Sequence, residues 1–411
     1  MQISKKMPSP KRTIKVLSAL FIGVWLIFIG NGLVLTSAGV MLKEMGVSDV
    51  FIGIITSCFF LGGIMSAIFA YSFISSYGYV RSYAIFTALF AISATLHGLG
   101  NSIIYWAFLR FLLGFSYYSI VMVVESWINT KSKNEIRSRV LAFYEMLYYG
   151  GFGVGVIILA LNLNNAKIFA ISIFFILLGA IPMNTVKIKE PPLPEKRKLS
   201  IPNVFELVPL ALSGSFTAGI CLSSFFAMSS VFVLKIGGSV LDISAFIFIA
   251  MIGGLLSELF FGNFSDKFGR KYSIMLGVFI ALVASFFMWI NLENLTILKI
   301  CVFFLTFGTF SLYALSLARA NDMLNNKNES AKVGAELLLS YSIGSLLGPL
   351  ITGVFIEIFG SLGFILVYVF ILVFLFVFAA FQEVVPKEKR GEFVAKRPSK
   401  ILFKAMFKGE I

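Results

Sequence analysis

The sequence of 411 residues is poor in charge for its length. Asp, Glu, Lys and Arg together make up 13% of the chain, which is about half of the roughly 25% usual in soluble domains. So few charged side chains, set among so many apolar ones, cannot cover the surface of a water-soluble fold. The composition therefore excludes a soluble globular protein, a disordered chain and a fibrous protein.

Residues that hold metals or perform acid–base catalysis are also scarce. His97 is the only histidine, and the three cysteines, Cys58, Cys221 and Cys301, lie singly in apolar runs without CxxC spacing. Isolated cysteines of this kind predict neither disulfides nor metal ligands. We therefore expect no cofactor and no metal site, and we expect the protein not to be an enzyme.

Apolar sequence is what the chain has in excess. Apolar residues account for 58% of the chain, and since one bilayer-spanning helix uses about 20 of them, they suffice for about 12 spans. The apolar runs are about 18 residues or longer, which excludes the ten-residue alternation of an outer-membrane barrel. The first run continues from Val16 to about Met41, past the length of a signal-peptide core. We therefore expect it to be a retained span.

The spans form two sets of six, separated by a charged stretch that contains prolines. This arrangement predicts an all-α membrane protein in which 12 transmembrane helices form two six-helix bundles. The predicted boundaries are 1–186 for the N-terminal bundle, 187–203 for a linker, 204–384 for the C-terminal bundle and 385–411 for a basic tail.

The fifth and eleventh spans resemble each other at an offset of 193 residues. The matched pairs are Arg139 with Lys332, Tyr148 with Tyr341, Gly151 with Gly344 and Gly155 with Gly348. A chance match between two apolar sequences is the alternative explanation. A true repeat predicts two halves of the same orientation, with a central site at their interface.

Basic residues are distributed very unevenly between the two sides of the predicted bundle. Of 34 Lys and Arg residues, one, Arg110, lies within a span, and four fall on one set of loops. Those four are Lys43, Lys167, Lys235 and Lys299. The remainder lie at both termini, in the linker and on the other loops, which the positive-inside rule places in the cytoplasm. The net charge of +14 thus indicates topology in a bacterial inner membrane and contact with anionic lipids, not nucleic-acid binding.

The loop after the eighth span has a specific pattern. It reads G-x-x-x-D-x-x-G-R-K, with Gly262, Asp266, Gly269, Arg270 and Lys271 at the fixed positions. An ordinary basic loop with two glycines is the alternative, but the pattern resembles the signature loop of the major facilitator superfamily. The resemblance covers nearly the whole chain except the tail, and it implies two rocking bundles.

The same resemblance implies a network that locks one conformation of the two bundles. Arg270 should pair with an acid near the end of the tenth span, where Asp322 stands. Asp266 should face the start of the fifth span, near Arg137 and Ser138. The corresponding loop of the first half is degenerate, since Ser75 occupies the position of the Asp. We expect the lock on that side to be weaker or differently built.

The fourth span carries polar residues that hydrocarbon would not accept. Arg110 and Gly114 form an R-x-x-x-G pattern similar to that of the superfamily. At about 100° per residue, Tyr117, Tyr118 and Glu125 share the face of Arg110. We therefore expect this face to line the central cavity, with Arg110 contacting substrate or gating protonation. The alternative is that backbone carbonyls satisfy Arg110, which then serves packing.

Two further patterns narrow the resemblance. Glu125-Ser126-Trp127 and the Ala318-x-Ala320-Asn321-Asp322 end of the tenth span are similar to the YcaD-like branch of the superfamily. Glu125 and Glu145 are interpreted either as members of a gate network or as a proton or substrate site. Tyr148 and Tyr341, at equivalent positions of the repeat, complete the candidate pathway.

These features favour a secondary active transporter that moves a small solute by alternating access. The sequence contains no nucleotide-binding P-loop, so a gradient must supply the energy, and the intramembrane carboxylates favour protons. A membrane sensor or scaffold with a transporter fold is the alternative, and a membrane-embedded enzyme is disfavoured by the single histidine. The aromatic interior suits neutral or amphiphilic solutes, or organic anions attracted by Arg110. We expect a monomer.

Overall fold

The computed structural model describes residues 9–161, 163–185, 190–192, 208–324 and 330–386. Within these ranges the chain is helical and contains no β-strand. Twelve spans of these ranges are long and apolar enough to cross a membrane, as the sequence predicts. The helices are α1 (Pro10–Val16), α2 (Ser18–Glu44), α3 (Asp49–Tyr77), α4 (Tyr79–Leu96), α5 (Ile103–Lys131), α6 (Asn134–Leu159), α7 (Asn165–Thr185), α8 (Pro209–Lys235), α9 (Val240–Phe268), α10 (Arg270–Ile290), α11 (Leu295–Thr309), α12 (Leu312–Met323), α13 (Ser330–Phe359) and α14 (Leu362–Ala380).

The predicted tenth span is broken into two helices. The regular helix is interrupted between α11 and α12 at Phe310 and Ser311, although both residues keep right-handed helical torsions. The ring of Phe310 packs at this break against Tyr149 of α6 and against Phe225 and Phe226 of α8. The break thus places an aromatic side chain of the second half against a helix of the first half. The basic tail beyond residue 386 lies outside the described residues.

The repeated glycines make equivalent helix contacts in the two halves. A Cβ at Gly151 would lie 2.9 Å from the carbonyl oxygen of Trp25 in α2, and one at Gly344 would overlap the backbone of Phe216 in α8. Gly155 and Gly348, one turn further on, approach the same two helices. Small residues let backbones come close where lipid offers no hydrophobic driving force. Thus α6 packs on α2 as α13 packs on α8, which supports two like-oriented halves.

Three helix pairs make the most extensive contacts between the two halves. In the first pair, Ser230 of α8 donates a hydrogen bond to the carbonyl of Thr36 in α2, at 2.9 Å. In the second, a Cβ at Gly353 of α13 would lie 2.6 Å from the carbonyl oxygen of Asp49 in α3. In the third, Gly153 of α6 faces the ring of Phe248 in α9. We call the end at which α2 begins and α7 ends the linker end, and the opposite end the far end.

We expect Gly155→Ala to lower the thermal stability of the purified protein. Its Cβ would overlap the carbonyl oxygen of Ile29 and lie 2.9 Å from the amide nitrogen of Leu33, so α2 and α6 must separate. Overpacking of this kind costs about 1–3 kcal/mol. Gly150→Ala in the same helix is the control, because its Cβ would have nothing nearer than Trp25 at 4.0 Å. A melting temperature in detergent that falls equally in both variants would contradict the packing argument.

Candidate substrate cavity and gates

A cavity of about 330 Å³ lies between the two bundles at the linker end. Three helices line it, α3 and α5 from the first half and α13 from the second. The lining residues come from the last parts of α3 and α5 and from the first part of α13. Tyr71 and Leu338, which belong to this lining, are 39% and 44% exposed. The lining is therefore partly exposed, and it belongs to the parts of these helices nearer the linker end.

Three of the sequence-predicted residues line this cavity. They are Tyr118 and Glu125 of α5 and Tyr341 of α13. Gly63 of α3 makes room for the Tyr118 ring, because a Cβ there would lie 2.6 Å from the ring edge. Tyr148 of α6 lies within electrostatic range of both Tyr118 and Tyr341. The tyrosines of three helices thus converge across the bundle interface.

The E-S-W segment explains how Glu125 is held towards the cavity. The hydroxyl of Ser126 lies 3.0 Å from that of Tyr79 in α4. The ring of Trp127, which is fully buried, meets the ring of Tyr79 edge-on at 5.4 Å. Two successive residues therefore anchor α5 to α4, and Glu125 is left on the side that the cavity occupies.

Three carboxylates lie within electrostatic range of one another, with Glu145 between the other two. Glu145 of α6 is exposed and lies within electrostatic range of Glu125 in α5 and of Glu258 in α9. None of the three makes a salt bridge with any residue that the structure describes. A carboxylate in a membrane protein that lacks a cationic partner is a candidate for proton or substrate binding.

Arg110 lies outside the cavity, which corrects the expectation that its whole face forms the lining. Its side chain is 1% exposed and donates a hydrogen bond to the carbonyl of Val34 at 3.3 Å. The guanidinium also lies 5.8 Å from the centre of the Trp106 ring. Helix periodicity places Arg110 on the same face as Glu125 but does not show which residues cover each position on that face. The contacts match the packing alternative, and the role of Arg110 stays a hypothesis.

Tyr117 is likewise packed and not part of the lining. It is 6% exposed, and its ring contacts those of Phe28, Phe59 and Phe90. These rings belong to α2, α3 and α4, so Tyr117 joins four helices of one half. The predicted polar face of α5 therefore divides into a packed part, with Arg110 and Tyr117, and a cavity part, with Tyr118 and Glu125.

The signature loop forms a network at the linker end of the second half. Arg270 is buried, and its Nε lies 3.2 Å from an Asp322 carboxylate oxygen. Its Nη1 lies 2.6 Å from Asp266 and 2.6 Å from the hydroxyl of Ser265. The geometry agrees with the Arg270–Asp322 pair inferred from the family pattern. Every partner named here belongs to α9, α10 or α12, so these contacts lie within one half.

The other residues of the loop fix its path. Gly269 joins α9 to α10 with φ of 99°, a conformation that side chains rarely adopt. Lys271 donates hydrogen bonds to the carbonyls of Ala380 and Gln382 after α14, at 2.9 and 2.6 Å. On the other half, Arg137 donates to the carbonyl of Ser132, and the side chain of Ser138 lies outside the described residues. The expected approach of Asp266 to α6 stays a prediction.

The first-half loop uses a different carboxylate. Gly78 keeps the positive φ, at 86°, although Ser75 replaces the aspartate. Glu190, from the segment after α7, accepts a hydrogen bond from the backbone N–H of Tyr79 at 2.9 Å. A carboxylate at the first turn of α4 offsets the positive end of the helix dipole. The degenerate loop is thus completed by the linker, which the sequence pattern alone could not indicate.

The far end contains a cross-bundle network that the sequence did not reveal. Asp49, at the first turn of α3, pairs with Lys43 of the same half at 2.6 Å. It also pairs with Lys235, at the end of α8 in the other half. The backbone N–H of Asp49 donates to Glu357 of α13 at 2.8 Å. Asp49 is 2% exposed, so the two halves are tied together at this end by a buried carboxylate.

A signal for this network is present in the repeat. Leu42-Lys43-x-x-Gly46 and Leu234-Lys235-x-x-Gly238 match at an offset of 192 residues, and Asp49 corresponds to Asp242 one residue out of step. The two aspartates have different partners: Asp49 pairs across the bundle interface, whereas Asp242 pairs with Lys299 of its own half at 2.7 Å. No group of three metal-ligating side chains occurs among the residues that the structure describes.

Comparison with known proteins supplies the family. The family model described as Major Facilitator Superfamily matches residues 20–257 and 211–410. The chain belongs to the Major Facilitator Superfamily. The predicted family and its two-bundle helical fold class are thereby confirmed, and the protein is a multi-pass membrane protein of a transporter family.

Curated relatives of this superfamily member carry the name that the E-S-W and A-x-A-N-D segments suggested. The uncharacterized MFS-type transporter YcaD of Escherichia fergusonii is 26% identical over 311 residues, covering 74% of this chain and 80% of the relative. The YcaD protein of Escherichia coli is 27% identical over 315 residues, covering 75% and 81%. The predicted resemblance to the YcaD-like branch is confirmed.

Solved structures agree on the superfamily fold. A bacterial homolog of the human lysosomal transporter Spinster, inward-facing and unoccupied, has a TM-score of 0.68 at 18% identity, covering 91% of this chain and 96% of that one. The nucleoside transporter NupG has a TM-score of 0.70 at 14% identity, covering 89% and 97%. At such identities the likeness extends to the fold alone.

We expect Asp322→Asn to destabilise the protein strongly. Arg270 is buried, and its other carboxylate partner, Asp266, is partly exposed. Asp322→Asn therefore removes the only buried carboxylate among the described partners of Arg270, at a cost of up to about 3 kcal/mol. Thermal unfolding in detergent measures the loss. Lys299→Gln is the control, since its pair with Asp242 is about one-quarter exposed and such pairs contribute under about 1 kcal/mol. Equal losses in the two variants would show that the loop network does not hold this half together.

Proposed function

We propose that the protein is a secondary active transporter that moves a small solute across the bacterial inner membrane by alternating access. The supporting observation is that the two ends of the bundle interface differ. A partly exposed cavity lies between the halves nearer the linker end, while the Asp49–Lys235 pair joins the halves at the far end. In the predicted topology, with both termini and the linker in the cytoplasm, this is an inward-open state of a monomer.

The arrangement around Asp49 suits a gate that opens repeatedly. Asp49 has one cationic partner in its own half, Lys43, and one in the other half, Lys235. When the halves separate at the far end, Asp49 keeps Lys43, and Lys235 moves into water. Neither the carboxylate nor a lysine is then left buried without compensation, which would cost several kcal/mol. The opening therefore breaks one ion pair without stranding a charge.

Proton coupling is supported by the carboxylates at the interface. Glu125, Glu145 and Glu258 lie on three helices from both halves and lack cationic partners among the described residues. Like charges held close together cannot all ionise readily, so at least one can carry a proton in one state of the cycle. We propose Glu145 for this role, because it lies within range of both others.

The two lysines should shift the conformational equilibrium in opposite directions. Lys235→Gln removes the cross-bundle partner of Asp49 and should populate a far-end-open state. Lys43→Gln leaves Lys235 as the only cationic partner of Asp49 among the described residues. Opening at the far end would then leave the Asp49 carboxylate without a cation, so the population of the far-end-closed state should increase. Spin labels at Leu161 and Leu241, which are exposed by 66% and 63% at the far ends of α6 and α9, report the separation by electron–electron double resonance.

A second label pair serves as the internal control for this experiment. Lys133 and Phe268 lie at the linker ends of α5 and α9 and are exposed, so the distance between them should shorten as the far-end distance grows. The labels require replacement of Cys58, Cys221 and Cys301. Reciprocal changes are the mark of alternating access. Distances at both ends that are the same in all variants would favour the scaffold interpretation.

Glu145→Gln should separate coupled transport from exchange. A neutral side chain cannot release a proton, so accumulation driven by an imposed pH gradient should fall by at least tenfold in reconstituted liposomes. Exchange of labelled for unlabelled solute needs no net proton movement and should continue. Glu44→Gln, at the end of α2, is the control. Loss of exchange together with accumulation would assign Glu145 to solute binding or folding instead of coupling.

A further inference from the structure

Negative charge is the only kind of formal charge on the lining of the cavity. Of the residues that line it, Glu125 alone is ionisable as an acid or base of ordinary strength, beside three phenols, and no Lys, Arg or His belongs to the described lining. This is notable in a chain whose formal net charge is +14. The negative charge of the cavity lining therefore results from where the charged residues lie in the fold and not from the composition of the chain.

Glu125 has no counter-ion among the described residues. It makes no salt bridge there, and the charged group within electrostatic range of it is another carboxylate, Glu145. The one arginine within the span, Arg110, is buried against Val34 and Trp106 outside the lining. Attraction of an anionic solute by Arg110, which the sequence allowed, therefore has no support in this cavity.

Aromatic side chains line the same cavity as this carboxylate. Tyr118 and Tyr341 line the cavity from opposite halves, and Phe60 and Tyr71 line it from α3. Ring faces attract cations by about 0.5–2 kcal/mol each, and aromatic cages are the usual receptors for quaternary ammonium groups. Met122 adds a polarizable side chain to the lining, of the kind found at adaptable binding surfaces.

We propose that the cavity binds a small organic cation that carries an apolar or aromatic body. Glu125 is its counter-ion, and Tyr118 and Tyr341 contact its cationic head with their rings. The cavity of about 330 Å³ is near the lower limit of ligand pockets, which are about 300–1,000 Å³, and so fits a cation with a single aromatic ring. The proposal rests on the proposed transport function and names the substrate class of that same cavity.

Three probes of similar size and different charge test the substrate class. Benzyltrimethylammonium is the cation, benzyl alcohol the neutral compound and phenylacetate the anion. Isothermal titration calorimetry on the purified full chain in detergent needs no gradient, so it tests binding separately from transport. We expect the cation to bind at least tenfold more tightly than either other probe. Tighter binding of phenylacetate or benzyl alcohol, or binding of none of the three at millimolar concentration, would overturn the proposal.

Variants then assign the binding to this cavity. Glu125→Gln keeps the shape of the side chain and should weaken binding of the cation at least tenfold. Glu293 is an exposed carboxylate in the loop after α10, and Glu293→Gln should leave the affinity unchanged. Tyr341→Phe keeps the ring and should retain most of the affinity, whereas Tyr341→Leu should lose it. Unchanged cation affinity in Glu125→Gln would overturn the assignment, as would equal losses in the two Tyr341 variants.

The outcomes also distinguish this proposal from the transport function. If the spin-label distances change but the protein prefers the neutral or the anionic probe, alternating access is supported and the cation proposal is wrong. If the protein prefers the cation but the spin-label distances do not change, the cation proposal is supported and alternating access is not, because the cation then binds to a protein that does not alternate.

Discussion

An ionised side chain at the centre of a bilayer costs about 3 kcal/mol or more unless it is paired or faces water, and this constraint organises the interior of the protein. Arg270 is paired with Asp266 and Asp322, and Asp49 is paired with two lysines. Glu125, by contrast, lines a cavity and makes no salt bridge with the part of the chain that the structure describes. Pairing stabilises the ends of the bundles, and the absence of pairing at the interface leaves a carboxylate free to bind something that is not part of the chain.

The two halves solve the same structural problem with different residues. Both use glycines to bring the fifth and eleventh spans against the first and seventh, and both turn at a glycine of positive φ, Gly78 or Gly269. In the second half the loop carboxylate is Asp266, next to that turn. In the first half the carboxylate comes from Glu190, far along the chain. The linker is therefore part of the structure at the start of α4 and not merely a connection.

Much of the architecture could be predicted because it depends on composition and short patterns. Length, apolar runs and the loop around Arg270 suffice for the span number, the family and the Arg270–Asp322 pair. The cavity could not be predicted to the same degree, because helix periodicity gives the direction of a side chain but not its neighbour. Arg110 and Glu125 share one face and are about 22 Å apart along α5. Val34 and Trp106 cover the first, and only the second reaches the cavity. The Asp49 network was missed because its members are far apart in sequence and unremarkable one by one.

The positions of the two ionic networks bear on how such bundles could move. The described partners of Arg270 lie within the second half, so rocking of one half against the other need not break these contacts. The Asp49–Lys235 pair joins the two halves, so separation at the far end must break it. The close approach of Gly53 and Gly353 lies beside it, and neither glycine has a side chain that would interlock with the opposite helix. Backbone contacts of this kind hold the closed end by proximity alone and separate without unpacking a side chain. The barrier to opening would then depend mainly on the Asp49–Lys235 pair and on the hydrogen bond from the Asp49 backbone N–H to Glu357, and the carboxylate retains Lys43 throughout.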